Sequence, residues 1–353
     1  MSAQQSGGTA RSSVPSYKIT IGEGHTFEQP QGDGVQSIVI EDHVDMISML
    51  TMRLGGAEGQ PQWDFNIGDE VEARVGEGDV LLFKGQVVAL EPSFTMDGGT
   101  ALTIRALDPL HKLGRGRNTR FWEDVLDSDI VSEIGAECGL PVEVDPTDTT
   151  MPYVLQRNET DIAFLKRLAA RNNFTLRVDD GTLKFQQNQY TGTENTVSLG
   201  GNLRSLRVAF NSVDQVSEVV VRGWDIAAKQ EVVGTAASGD LSAVGGGDLG
   251  CQVAETAFGA STAYITDVPV STQDQANAIA LAELERLARQ FARGTGTIQG
   301  NDAVRAGTVV ALDGIAAPFN GNYYVLASRH IISPRTGYTT EFTFCSNSFG
   351  SAS

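Results

Sequence analysis

The chain has 353 residues, enough for two or three domains with real cores. Its 44 acidic and 26 basic residues give a formal net charge of -18, which argues against a phosphate-backbone binder built on clustered Lys and Arg. No apolar run reaches membrane-spanning length, and Cys138, Cys251 and Cys345 lie far apart without C-x-x-C spacing, so neither membrane insertion, a zinc site nor a disulfide framework is expected.

Residues 1–16 are rich in Ser, Gly and Gln, lack the apolar segment of a secretory signal, and read as a flexible arm that orders against a partner. From Tyr17 to Leu107 strand follows strand: Tyr17–Ile21, Ser37–Ile40, Met46–Leu54, Val71–Val75, Val80–Leu90 and Ala101–Leu107, punctuated by Gly, Pro and Asp. That spacing predicts a barrel or sandwich over 17–108. Residues 109–117, with Leu113-Gly114-Arg115-Gly116-Arg117, read as a linker and a small basic island.

Residues 118–197 read as a small α+β domain. A first helix, capped by Asp127 or Ser128, runs to Glu137 with Ile130, Val131 and Ile134 on one face; Gly139 and Pro141 stop it. Cys138 falls on this apolar pattern and reads as a small core residue. A second helix starts near Asn158-Glu159-Thr160-Asp161, with Ile162, Leu165, Leu168 and Ala169 as its stripe and Lys166, Arg167 and Arg171 opposite. A hairpin follows, Phe174–Val178 and Leu183–Gln187 around Asp179-Asp180-Gly181.

Strands return at Ser205–Phe210 and Ser217–Trp224. Residues 229–270, with Gly245-Gly246-Gly247, read as a loop-rich insertion. A long helix is predicted from Gln273 to Arg293, with Ala276, Ile279, Ala280, Leu284, Leu287 and Phe291 on one side and Gly294 ending it. The final strands fill Thr297 to Phe344. The second barrel-like domain then comprises 198–228 and 271–346, with 347–353 as a C-terminal tail.

An internal repeat cuts across this order. Phe83-Lys84-Gly85-Gln86-Val87-Val88-Ala89-Leu90 is matched by Phe319-Asn320-Gly321-Asn322-Tyr323-Tyr324-Val325-Leu326. Each follows a strand-like run opened by glycine, at Gly68 and at Gly307, and each leads through a Gly-containing turn into another strand, Ala101–Leu107 or Thr339–Phe344. Three features agreeing in order favour duplication over chance. Three copies of a duplicated chain show six similar units around an axis.

The middle of the chain carries a specific likeness: Phe121-Trp122-Glu123-Asp124-Val125-Leu126, Cys138-Gly139-Leu140-Pro141, Tyr153-Val154-Leu155-Gln156, and above all Asn158-Glu159-Thr160-Asp161-Ile162-Ala163-Phe164-Leu165-Lys166-Arg167-Leu168-Ala169. With Val219 to Asp225 and the run from Ala282 to Val325, these resemble the late control protein D and VgrG family, the baseplate hubs of contractile phage tails and related injection particles. The resemblance implies two tube-like β-barrel domains per chain plus a small α+β domain, in a homotrimer forming a pseudo-sixfold ring. It implies a non-enzymatic hub that adapts a sixfold tail tube to a threefold central spike and lines the channel. Expected partners are the chain itself, tail tube protein, central spike protein, other baseplate proteins and tape measure protein, assembled in a bacterial cytoplasm into a virion tail or injection particle. Family members that continue into a needle carry further domains; the end at Ser353 leads us to expect a hub with the spike on another polypeptide. No cofactor and no specific nucleic-acid binding are expected, and which residues form the interfaces is not readable from the sequence.

The candidate chemistry is thin. Glu41, His43 and Asp45 would share a strand face and resemble a metal-ligand set, yet no second cluster with ligand spacing accompanies them. His25, His111 and His330 are scattered, without a G-x-S-x-G elbow. Gly245–Gly250 lacks the strand-then-helix setting of a phosphate loop and reads as flexible. Trp122 and Trp224 read as packed aromatics. The excess acid serves solubility; it would also suit a channel wall that nucleic acid passes without sticking. A glycan hydrolase using Glu41 and Asp45 is the alternative of a different class, and a glycan-binding β-protein a third.

Overall fold

The computed structural model describes residues 16–29, 34–55, 64–76, 78–96, 99–188, 190, 195–226 and 228–351; residues 1–15 of the N-terminal arm and the turn residues Asp97-Gly98 lie outside them. In chain order the first unit holds β1 (Tyr17–Ile21), β2 (His25–Glu28), β3 (Val35–His43), β4 (Met49–Gly55), β5 (Glu70–Val75), β6 (Val80–Phe94) and β7 (Thr100–Leu107). The α+β unit holds β8 (Asn118–Val125), α1 (Asp127–Glu137), β9 (Val142–Val144), β10 (Met151–Glu159), α2 (Asp161–Asn172), β11 (Phe174–Asp179) and β12 (Thr182–Gln187). Then come β13 (Asn195–Ser198), β14 (Leu203–Phe210), β15 (Glu218–Asp225), β16 (Gln230–Ala237), β17 (Gly246–Leu249), α3 (Gly250–Phe258), β18 (Thr262–Ile265) and α4 (Gln273–Ala288). The chain closes with β19 (Ala292–Gln299), β20 (Val309–Asp313), β21 (Gly321–Ser333), β22 (Gly337–Ser346) and β23 (Ser348–Gly350). The fold is mainly β with α+β parts, as expected.

Apolar side chains at every second position drive the first unit. Ile19, Ile21, Ile38, Ile40, Leu50, Met52, Val71 and Ile104 are all fully buried in one cluster, so the sheet curls until the inner faces of its strands meet. Each such side chain contributes roughly 1.5–3 kcal/mol on burial. The second unit repeats the design around Val197, Ile298, Val310, Tyr323, Phe342 and Phe344.

The repeat runs deeper than its sequence pattern. The first unit is ordered β3-β4-β7-β6-β5-β1 and the second β14-β19-β22-β21-β20-β13, matching rank by rank along the chain. The register shift between Val35 and Ser37 recurs between Leu203 and Ser205, and the one between Val87 and Ala89 recurs between Val325 and Ala327. Bulges inherited at the same two places are hard to obtain by chance. One pair differs: β1 meets β5 antiparallel, whereas β13 meets β20 parallel. The register also corrects the sequence alignment. Gly68 N–H bonds Val87 O at 2.8 Å and Gly307 N–H bonds Val325 O at 2.8 Å, so Val87 corresponds to Val325 and the two Phe-x-Gly motifs stand two residues out of step.

The units are joined edge to edge. The second half of β21 pairs antiparallel with β3, Ala327 opposite His43 through Ile332 opposite Ile38, making one continuous 13-stranded sheet.

Several predicted elements are redrawn. The long helix stops at Ala288, and Gly294 lies inside β19, where a Cβ would sit 2.4 Å from Arg207 O and the Phe344 ring. Phe291 belongs to the second unit's core rather than to a helix stripe. Residues 229–270 are not loose: β15, β16 and β18 form a separate sheet against which α4 packs, burying Val219, Val221, Val232, Ala276, Ala280 and Leu284. The glycine-rich run is β17, paired with β23 in the supposed tail, and a Cβ on Gly250 would enter the Phe291 ring at 2.1 Å. Leu110 and Leu113 are fully buried in a short 3-10 helix, Pro109–Gly114, where a linker was expected. Leu126, not Asp127 or Ser128, is the N-cap of α1, and Cys138 is half-buried at its C-cap while Cys251 and Cys345 are the buried cysteines.

Candidate assembly interface

The edges and exposed faces of these sheets are the surfaces available for partners. On the solvent side of the long sheet, charges come in opposed pairs: Arg329 lies 3.3 Å from Glu41 and 3.2 Å from Glu341, and Arg105 2.8 Å from Glu91. Such exposed pairs contribute at most about 1 kcal/mol each. Thr51, Thr103, Thr295, Thr297, Thr339 and Thr343 fill much of the rest. This face is therefore mixed in charge, and it does not concentrate the chain's excess acid.

The β21–β3 junction is buried beneath that face. His330 is 1% exposed; its Nδ1 lies 2.8 Å from the Tyr338 hydroxyl and 3.3 Å from Thr340 Oγ1, and its Nε2 has no hydrogen-bond partner among the described residues. Burial, aided by Arg305, pushes its pKa down to about 3. Asp108, just past the end of β7, is pushed up to about 6 by burial, although it accepts N–H bonds from Ser48 and Leu110 at 2.7 and 2.9 Å. The two act oppositely on stability. The His330 contribution is full above pH 6.5 and drains away as pH falls toward 3; the Asp108 contribution is full below about pH 4 and drains away as pH rises through 6. His330→Gln removes only the first. At pH 4 relative to pH 7 the variant is expected to retain about 3 kcal/mol more of its stability than the parent does. Urea midpoints across that range measure it, and parallel curves for the two proteins would refute it.

The α+β unit is tied by a polar cluster that the Asn158–Asp161 motif foreshadows. Thr160 caps α2 by accepting from Ala163 N–H. The Asp161 carboxylate accepts from Asn118 at 3.0 Å, Arg120 at 2.6 Å and Gln156 at 2.7 Å, linking β8, β10 and α2. Burial works to raise its pKa, but the bonds from Gln156, Asn118 and Arg120 hold it below the usual carboxylate range. Asp127 pairs with Arg171, joining α1 to α2. Trp122 stacks on Phe164 at 5.3 Å and is packed as expected. Trp224 is 55% exposed, on the face of its sheet away from α4, and Phe121 stacks on Tyr153 at 5.8 Å in the open.

The sequence-derived catalytic and metal candidates are not brought together. Glu41 and His43 line one cavity, across the junction face, while Asp45 lies past the strand end and lines another with Lys166, Arg289 and Arg293. Among the described residues no group of three or more His, Cys, Asp or Glu side chains is placed to hold a metal ion. His25 rests against Phe65, and His111 Nδ1 lies 2.7 Å from Asp108 O. The run into α3 is strand then helix, but Gly250 N–H is already bonded to Asn347 O at 2.9 Å.

A family model described as the Alg8 N-terminal domain matches residues 13–334. No curated protein matches the sequence. Among solved structures, the prophage MuSo2 43 kDa tail protein from Shewanella oneidensis superposes with a TM-score of 0.72 at 14% identity, covering 94% of this chain and 98% of that one. A tail protein from Neisseria meningitidis gives 0.70 at 12% identity, covering 93% and 96%. An E. coli type VI secretion system component, described as structurally similar to bacteriophage tail proteins, gives 0.62 at 13% identity, covering 95% and 79%. The fold is thus shared with phage tail proteins and a type VI secretion system component over nearly the whole chain.

Proposed function

We propose, for a chain that belongs to the Alg8 N-terminal domain family and shares the fold of phage tail proteins, a structural role as a baseplate hub. Three copies associate around an axis, present six β units to a sixfold tail tube, and seat a threefold spike on the other side. The sheet face rich in threonine and paired charges lines the central passage, where DNA or cargo moves. Tail tube protein, spike protein, other baseplate proteins and tape measure protein are the partners, within the tail of a virion or injection particle. The chain performs no catalysis; Glu41, which a glycan hydrolase would need, is held by Arg329 and is separated from Asp45.

The observation that carries this reading is the duplicated six-strand order with both bulges preserved. A threefold object with two equivalent units per chain meets sixfold symmetry without a second protein. Electron microscopy of the purified chain, alone and with a spike encoded beside it, should show a threefold ring with six lobes and a central opening. A monomer in both samples would defeat the hub.

A further inference from the structure

Duplication makes the joint inside the chain a template for a joint between chains. The internal joint pairs the second half of β21 with β3. By the shared bulge register, the counterpart of Ala327–Ile332 is Ala89–Phe94 in β6, and the counterpart of Ile38–His43 is Leu206–Asn211, in β14 and the residue after it. Among the described residues, both counterparts have a strand on one side only: β6 past Val87 pairs β7 alone, and β14 pairs β19 alone. In each unit, the edge that the other unit covers internally is the one left open.

Burial reports the missing neighbours. Ile332 is 1% exposed, whereas its counterpart Phe94 is 72% exposed. Ile38 and Ile40 are 0% and 1% exposed, whereas their counterparts Leu206 and Val208 are only half-buried. The apolar character has been kept at positions that nothing covers, which is costly on a free edge strand.

We propose that β6 of one copy pairs antiparallel with β14 of the next, in the register of the internal joint. Leu90 then faces Phe210, Glu91 faces Ala209, Ser93 faces Arg207 and Phe94 faces Leu206. Glu91 and Arg207 sit diagonally across the seam, within reach of each other, as Glu41 and Arg329 are paired across the internal one. Pro92 stands where His330 does and has no N–H to give across the seam. The contact is head to tail, and it rests on the hub reading for closing after three copies.

Cysteine pairs test the register. In one chain β6 and β14 are separated by six intervening strands, on the order of 30 Å along the sheet, so a disulfide between them must join two copies. Directly opposed residues lie about 4.5–5.5 Å apart at Cα, within disulfide reach. The full chain carrying Ser93→Cys and Arg207→Cys, oxidised with copper phenanthroline, should give dimer and trimer bands that stop at trimer and revert with dithiothreitol. Glu91→Cys with Ala209→Cys should do the same; the out-of-register Ser93→Cys with Ala209→Cys should not; each single variant controls for the native thiols. A sample that sediments as a trimer without crosslinking in either matched pair overturns the seam and leaves the hub. A sample that sediments as a monomer and does not crosslink overturns both, and bands continuing beyond trimer replace the closed ring by an open chain of copies.

Discussion

Asp161→Ala should cost the protein about 3 kcal/mol, because it removes the acceptor that holds three donors at once. Gln156, 0% exposed, loses its 2.7 Å bond, and Arg120, at 25% side-chain exposure, keeps Glu137 and Gln156 but loses its better-buried carboxylate. Strands β8 and β10 are then no longer pinned to the first turn of α2. Asp161→Asn keeps the shape and removes the charge, so its cost should be smaller, about 1–2 kcal/mol at neutral pH. The sign of its pH dependence follows from the depressed carboxyl. The charge contributes stability above about pH 4 and loses it as pH falls further, so the gap between parent and Asp161→Asn should close in acid. Denaturation midpoints at pH 7 and pH 3 decide this. An Asp161→Ala protein as stable as its parent would mean that the cluster is surface ornament.

Gly234→Val should detach α4 from the sheet beneath it. A Cβ at Gly234 would lie 2.2 Å from the Ala276 carbonyl carbon and 2.5 Å from Asn277 N, both backbone atoms that cannot rotate away. Helix and strand touch here through the smallest available residues, with Ala276 and Ala280 on the helix and Gly234 and Ala236 on the strand. Forcing in a branched side chain should cost about 3 kcal/mol. The damage should be local, since the long sheet has its own core. Hydrogen exchange should therefore show α4 and β16 losing protection while β3 and β21 keep theirs; unchanged exchange in α4 would contradict the close approach.

That contact also explains why residues 229–270 look like a loop-rich insertion in the sequence. Small residues packed under a helix and small residues in a loop look alike in composition, and only the register of β15 with β16 tells them apart. The predicted helix ran on to Arg293 because Phe291 continues its period, although that ring serves the neighbouring core. The repeat was legible as a repeat, but its alignment slipped by two residues. A shift of two preserves which side chains face inward, so alternation cannot detect it, whereas the bonds of Gly68 and Gly307 can. The Thr160 cap and the start of α2 were readable because capping is local chemistry. The strand edges were not, because an edge is defined by a neighbour that is missing rather than by the residues that form it.

The joint of β21 with β3 also sets a timetable for synthesis. Strand β3 is synthesised long before its partner β21. At about 5–20 residues per second, the apolar side chains of Ile38 and Ile40 wait on the order of tens of seconds beside an uncovered edge. During that interval the nascent first unit presents a sticky strand to every other nascent chain on the same message. The completed protein conceals this hazard, because β21 then covers the edge and Ile38 and Ile40 are buried.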